Sequence, residues 1–495
     1  MSPDDARTVE RDQGVPGKWL ILLMAQIGVF MCTFDSGVVN LALPVISEQF
    51  GTSLATIKWV AVIYTGTAAL ALPTAAYLGR RFGVCRVYMI GQVLFTVGSV
   101  SCGLAQDLDV LVALRFVAAL GASIILALNQ VIMLSAFPKH QHGRALGFSG
   151  TTFALGILVG LAAGGILIHL WGWRSIFLIN LPFGIVMIGL GLRVLKAQEL
   201  GLDKTESLDF DWKGMALAGA ALGSLVLLVS QLLGHGHASP WVDAGMVGFS
   251  ALALYAWLKH ELRDSESFLN LQLLKTSPLA FNFTNAFTVR VIMGSVTFII
   301  PFYLQYTLDL TPFHAGLTLS AGAVAMGIFG PFAGAWADRY GMQHLARIGV
   351  TTMAVALCAL AFLPPSVTTS TLVPVLALVI VAQFINGTGS VSFSAANTSA
   401  CLHSVIPRYW GAISSLQSVT LMAGTALGST IAADLVSFWG AQDQGAVRAA
   451  DAVGKAFPPN ALALLFGGGA LALAVLATAG WMRKTTAPRA EAETT

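Results

Sequence analysis

The chain divides into fourteen apolar runs, most of them about 20 residues long, separated by short polar breaks. That length decides the fold class, because a helix rising 1.5 Å per residue needs about 20 residues to cross roughly 30 Å of hydrocarbon. Inside lipid a spanning segment has to satisfy its own backbone donors and acceptors, and a continuous apolar run does so as a helix. A membrane barrel would instead show segments of about 10 residues with alternating polarity. Composition agrees: 56% of the 495 residues are hydrophobic and 10% are charged, whereas a soluble chain is about 25% charged. The expected fold class is an all-α polytopic membrane protein.

The breaks carry turn chemistry at Arg80–Gly83, Pro138–Gly143, Trp171–Arg174, His235–Pro240, Pro364–Thr371 and Pro458–Asn460. They place helices at 18–46, 55–78, 84–104, 108–134, 144–169, 175–195, 213–234, 241–258, 279–306, 313–336, 345–364, 371–394, 409–438 and 460–482. The first run is too long for a signal-peptide core and is expected to remain as the first membrane helix. Of the 27 Lys and Arg residues, 21 fall on the side of the N-terminus, four on the other side and two, Arg115 and Arg290, within helices. Basic residues collect on the cytoplasmic side, so both termini are expected in the cytoplasm of a bacterial-type inner membrane.

A loop motif occurs twice. Gly79-Arg80-Arg81-Phe82-Gly83 follows the second run, and Ala337-Asp338-Arg339-Tyr340-Gly341 follows the tenth, 258 residues later. Six helices do not fill that interval; the surplus matches one extra helical hairpin. The expected plan is a six-helix bundle at 1–200, an inserted two-helix hairpin at 201–265 and a second six-helix bundle at 266–495. Parallel repeats of this kind are known in membrane carriers.

Four local patterns carry a family resemblance. Phe34-Asp35-Ser36-Gly37-Val38-Val39-Asn40-Leu41-Ala42-Leu43-Pro44 places an acid before a V-N-x-A-L-P run. Trp173-Arg174-Ser175-Ile176-Phe177-Leu178-Ile179-Asn180-Leu181-Pro182-Phe183-Gly184 reads W-R-x-x-F-x-I-N-x-P-x-G. Gly334 to Gly341 reads G-x-x-A-D-R-x-G, and Arg115 lies early in the fourth run. In their order and spacing these resemble the fourteen-helix drug:proton antiporter branch of the major facilitator superfamily. The resemblance implies two six-helix bundles, alternating access, and a gating role for the loop residues Arg80, Arg81, Gly83, Asp338, Arg339 and Gly341. Two departures stand out. Arg80 occupies a position where the loop motif usually has Asp. The helix-five motif G-P-x-x-G-G reads Gly160-Leu161-Ala162-Ala163-Gly164-Gly165, so Gly160, Gly164 and Gly165 remain and the proline is absent.

Charge inside the membrane points to mechanism. Four ionisable Asp, Glu, Lys or Arg residues lie well within the runs: Asp35, Arg115, Arg290 and Asp434. Each costs about 2.5–3.5 kcal/mol at a helix centre, a penalty that calls for a partner, an aqueous cavity or both. Asp35 and Arg115 sit at similar depth and are the proton-coupling candidates. Desolvation favours the neutral acid at Asp35, a nearby guanidinium favours the carboxylate, and a balance between them suits a proton carrier. The alternative is a permanent structural pair. Arg290 could bind an anionic group of a cargo or pair with Asp434. Arg290 and Asp434, with Tyr64, Asn129, Gln130, Gln305, Tyr306, Gln383, Asn386 and Asn397, are candidates to line a cargo cavity.

The dispersed basic residues give no nucleic-acid footprint. There is no G-x-x-x-x-G-K-[ST] loop for a nucleotide, no H-E-x-x-H and no G-x-S-x-G constellation for catalysis. His140 with His142 and His235 with His237 read as surface histidines without metal-ligand partners. No enzyme activity, metal or cofactor is expected. The expected partners are a small-molecule cargo, protons and the bilayer, and the expected state is a monomer. The expected function is proton-coupled export of an organic, amphiphilic compound; the alternative is a carrier for a lipid, fatty acid or metabolite without tight proton coupling.

Overall fold

A computed structural model of the chain describes residues 17–138, 141–195, 211–233, 240–263, 271–275, 277–364, 367–405, 410–443 and 459–478. Fourteen long helices run through them: α1 (Lys18–Phe50), α2 (Trp59–Phe82), α3 (Val84–Gly103), α4 (Leu108–Ala136), α5 (His142–Trp171), α6 (Asn180–Val194), α7 (Trp212–Leu233), α8 (Pro240–Arg263), α9 (Ser277–Phe302), α10 (Pro312–Tyr340), α11 (Met342–Ala361), α12 (Thr369–His403), α13 (Trp410–Asp443) and α14 (Pro459–Thr478). Short helical turns at Leu54–Ile57 and Ser175–Leu178 lead into α2 and α6. Twelve of the fourteen are long and apolar enough to cross a membrane, and α5 and α14 carry shorter apolar stretches, Leu155–Trp171 and Leu462–Leu476.

Several helices outrun the expected limits because their ends meet no breaker. The third-last expected helix ends at 394, whereas α12 continues to His403. Its end is rich in Ser, Thr and Asn, which reads as a loop. Already before the expected end the hydroxyls serve the preceding turn: Thr388 donates to the Phe384 carbonyl at 3.0 Å and Ser392 to that of Thr388 at 2.8 Å. Such back-bonding lets polar residues continue a helix. At the end of α9, Pro301 removes a backbone donor and the helix opens into a π turn at Tyr303–Thr307.

The helices repeat their packing. In the first six, α3 packs on α4, α1 on α5, α2 on α4 and α3 on α6; α11 on α12, α9 on α13, α10 on α12 and α11 on α14 reproduce those pairs. The two sets meet where α2 packs on α13 and α5 on α10. The pair α7 and α8 forms a hairpin, with α7 leaning on α13 and α2. The expected bundle boundaries at 200/201 and 265/266 lie outside the described residues. The loop repeat is conformational as well. Gly83 has φ 94° and ψ 124°, and Gly341 has φ 86° and ψ 135°, a backbone state open to glycine and not to other residues.

Small residues set the closest approaches. A Cβ built on Gly160 would lie 2.8 Å from the Phe34 carbonyl oxygen, and one on Gly164 would lie 2.1 Å from Val38 Cγ2. These glycines seat α5 directly against the stretch of α1 that carries Asp35. Gly424 and Gly428 do the same for α13 on α9, at 2.7 Å from Arg290 Cβ and 1.9 Å from the Val291 carbonyl oxygen. Close contact through small residues is how helices associate where no hydrophobic effect drives them together. Elsewhere large apolar side chains point outward: Leu192 and Trp241 are 76% and 86% exposed. Such faces suit hydrocarbon.

Candidate functional site

A cavity of about 650 Å³ lies between the two helix sets, lined from α1, α2, α4, α5, α9, α12 and α13. Its polar wall includes Asn129 and Gln130 of α4, Ser149 of α5, Arg290 of α9, Asn397 of α12 and Gln417 of α13. The rest combines the hydroxyls of Ser394, Thr398, Ser418 and Thr420 with Ala, Leu, Phe, Val and Met side chains. Asn129, Gln130 and Asn397 all lie within the last turns of their helices, so the cavity is displaced toward the face bearing the α2–α3 loop. Arg290 donates to Ser394 Oγ at 2.8 Å. Of the cavity candidates read from the sequence, the structure brings together Asn129, Gln130, Arg290 and Asn397.

The remaining candidates do other work. Gln305 Nε2 donates to the Leu41 carbonyl and the Tyr306 hydroxyl to the Pro44 carbonyl, each at 2.9 Å. Both bonds join the π turn after α9 to α1, across the two helix sets, and close the opposite face. Tyr64 lies under Arg115, whose guanidinium carbon is 4.0 Å from the ring centroid. Gln383 and Asn386 sit within α12, each with a side-chain oxygen lacking a hydrogen-bond partner, and neither is among the lining residues. Asp434 does not pair with Arg290. It is fully buried against Lys58, whose ammonium bonds the carboxylate and also Ser230 Oγ of α7 at 2.7 Å. Lys58 was missed because it stands at the very start of the second expected run, 55–78, where it reads as a solvated cation at the membrane boundary; only the fold brings it against α13.

Asp35 and Arg115 do meet. Arg115 Nη1 donates to Asp35 Oδ2 at 2.7 Å, and Arg115 Nε donates to the Val60 carbonyl at 3.3 Å. Both side chains are at most 1% exposed, and Asp35 Oδ1 has no hydrogen-bond partner. The pair therefore keeps one carboxylate oxygen in reserve, in a dry site flanked by Tyr64 and by Phe177, whose ring centroid is 5.7 Å from the guanidinium carbon.

The W-R-x-x-F-x-I-N residues form a structural knot beside this pair. Trp173 Nε1 donates to Gln49 Oε1 at 2.6 Å, Arg174 to the Ala105 carbonyl at 3.0 Å, and Asn180 Nδ2 to Ser99 Oγ at 2.6 Å. They tie α1, α3 and α6 together at the closed face. Of the loop residues, Arg80, Arg81 and Arg339 are exposed. The side chain of Asp338 lies outside the described residues, as do His140, His235, His237 and the side chain of His142.

A second cavity, of about 690 Å³, is apolar and lies between α2, α4, α7 and α13. Phe116 and Leu227 on its walls are 46% and 50% exposed, so it opens on the outer surface of the bundle. It is separated from the polar cavity by the packed seam of α2 and α13.

Two repeated helix sets around a polar cavity, sealed at one face, define a polytopic membrane carrier. The chain belongs to the Major Facilitator Superfamily, whose sequence model matches residues 26–379 and 282–495; it is a transporter and not an enzyme. It is 30% identical over 434 residues to the riboflavin transporter RibZ of Clostridioides difficile (strain 630), covering 85% of this chain and 90% of that protein. It is 29% identical over 434 residues to the putative multidrug resistance protein MdtD of Salmonella heidelberg (strain SL476), covering 86% and 88%. Its fold is similar to that of the E. coli xylose transporter XylE in a partially occluded inward-open conformation, with TM-score 0.58 at 13% identity over 93% of this chain and 99% of that one. It is also similar to a mutant peptide transporter POT in complex with sulfate, with TM-score 0.65 at 14% identity over 92% and 94%.

Proposed function

We propose that this transporter is a secondary active exporter of an organic, amphiphilic compound, driven by proton antiport and working by alternating access. The observation that carries the reading is the buried Asp35–Arg115 pair, held against the α5 glycines with one carboxylate oxygen unpartnered. A dry carboxyl with a single cationic partner can exchange between charged and neutral forms when its surroundings change. Movement of α1 against α5 and α4 is such a change. The similarity to MdtD supports efflux as the direction, and the basic-residue asymmetry supports cytoplasmic termini, with the polar cavity then facing the cytoplasm.

The energetics suffice. One proton is worth about 2.3 kcal/mol per 100 mV and about 1.4 kcal/mol per pH unit. A tenfold cargo gradient costs about 1.4 kcal/mol, so one or two protons sustain a large ratio.

The test is purified protein in liposomes under an imposed pH gradient, with lumenal pH followed as cationic, neutral and anionic amphiphiles are added. Cargo-dependent proton movement in the wild type, lost in Asp35→Asn, is the expected result. Equal movement in both rejects Asp35 as the carrier. A second reading, a metabolite carrier without tight proton coupling, is favoured by the missing proline between Gly160 and Gly164 and by the similarity to a riboflavin transporter. Labelled cargo crossing with no proton movement is the outcome that selects it.

A further inference from the structure

We infer that the cargo is an organic anion and that Arg290 receives its charged group. This rests on reading the cavity between the helix sets as the cargo site.

Three cations of the membrane domain differ in their surroundings: Arg115 and Lys58 are fully buried, and Arg290 is half-buried. Arg115 has Asp35, and Lys58 has Asp434. Arg290 has no carboxylate among the described residues; its one hydrogen bond there is to Ser394 Oγ at 2.8 Å. It lies on the wall of the polar cavity, where it is the single charged residue among the described lining residues. The two carboxylates on the membrane-spanning helices that could have balanced it are held by other partners. A guanidinium offers five N–H donors in a planar fork that matches a carboxylate, sulfonate or phosphate group. An uncompensated charge at this depth is costly and is kept where something binds to it.

Among the neighbouring amides, Gln417 leaves a donor for the anionic group, while Asn129 and Asn397 leave acceptors for hydroxyl or N–H groups elsewhere on the cargo. Asn129 and Asn397 are 2% and 5% exposed, and each has a side-chain oxygen with no hydrogen-bond partner. Gln417 has an amide nitrogen in the same condition. All three line the cavity with Arg290. They are polar groups held in place with bonding capacity left over. Val29, Leu72, Phe153 and Phe393 supply apolar wall for the body of the molecule. A cationic amphiphile placed here would meet Arg290 as a like charge in a low-dielectric site, with no carboxylate to receive it. The cavity therefore selects against cations as well as for anions.

The experiment uses the full chain in lipid nanodiscs and three probes with one naphthalene skeleton: a sulfonate, a trimethylammonium and a neutral alcohol. Binding is measured by equilibrium dialysis, and the folded state of each variant by size-exclusion profile. The wild type is expected to bind the sulfonate at least about tenfold more tightly than the trimethylammonium probe, in line with a charged hydrogen-bonded contact. Arg290→Gln is expected to abolish that preference and Arg290→Lys to keep part of it. Gln417→Glu, which adds a carboxylate without touching Arg290, is expected to bring the cation's affinity up to or above the sulfonate's. Equal binding of the cation by the wild type, a sulfonate preference that survives Arg290→Gln, or binding of none of the three overturns the inference. Flux of the same probes into liposomes is scored separately. Selective binding without flux removes the transport reading and leaves the anion site standing.

Discussion

Lys58, at the threshold of α2, forms a buried ion pair with Asp434 of α13, and Ser230 of α7 accepts a further bond from the same ammonium. One cation thus links the first helix set, the second and the inserted hairpin. The link lies at the face closed by Gln305 and Tyr306, so it belongs to the state in which that face is shut. Removing either partner strips the other of this opposite charge in a buried site, which costs about 3–5 kcal/mol. Lys58→Met and Asp434→Leu are each expected to open the face, read as faster maleimide labelling of a cysteine placed at Leu43. The double variant is expected to label more slowly than either single one. Unchanged labelling in both single variants would show that the pair does not hold the gate.

Arg115 and Asp35 should respond unequally to substitution. Asp35→Asn leaves an amide oxygen that still accepts from Arg115. Arg115→Met leaves an acid that can take up a proton and stay neutral, whereas the guanidinium left by Asp35→Asn keeps its charge without a counter-ion, the case that costs about 3–5 kcal/mol. The expected outcome is a clearly lower unfolding temperature in detergent for Asp35→Asn than for Arg115→Met. Equal stability would mean that the pair is open to water.

Gly164 has no room for a side chain. A Cβ there would sit 2.1 Å from Val38 Cγ2, so Gly164→Val has to push α5 away from α1. Overpacking of this kind costs about 1–3 kcal/mol and would displace Asp35, three residues before Val38. Gly66→Val is the control, because nothing lies within 4 Å of the Cβ it would carry. Loss of cargo flux in Gly164→Val with retention in Gly66→Val is expected, measured in liposomes at matched protein density.

Gly83 and Gly341 hold equivalent backbone states at positive φ. Replacing either by Ala imposes strain of about 1–3 kcal/mol on the loop between two helices. Both variants are expected to unfold at lower temperature than the wild type, by similar amounts. A loss confined to one of them would show that the two loops differ in rigidity.

Much of the architecture was legible because lipid simplifies the rules. Hydrocarbon thickness sets the length of each run, so helix number and approximate limits follow from hydropathy. The loop repeat, 258 residues apart, led to the expectation of two related halves with a hairpin between them. Asp35 and Arg115 could be paired in advance because depth along a helix is readable from residue count. Lateral position is not. Gln305 and Tyr306 looked like cavity residues and instead bond α1 carbonyls. Asp434 looked free for Arg290 and is held by Lys58.

The sequence alone therefore determined the solvent, the element type, the helix count and the shared depth of Asp35 and Arg115, since all four depend on local length and polarity. Which face each helix turns inward, and hence which charges neutralise one another and which is left facing the cavity, was decided by the tertiary structure. Helix rotation depends on how small residues such as Gly160, Gly164, Gly424 and Gly428 let neighbours approach, and that packing is settled between segments far apart in the chain.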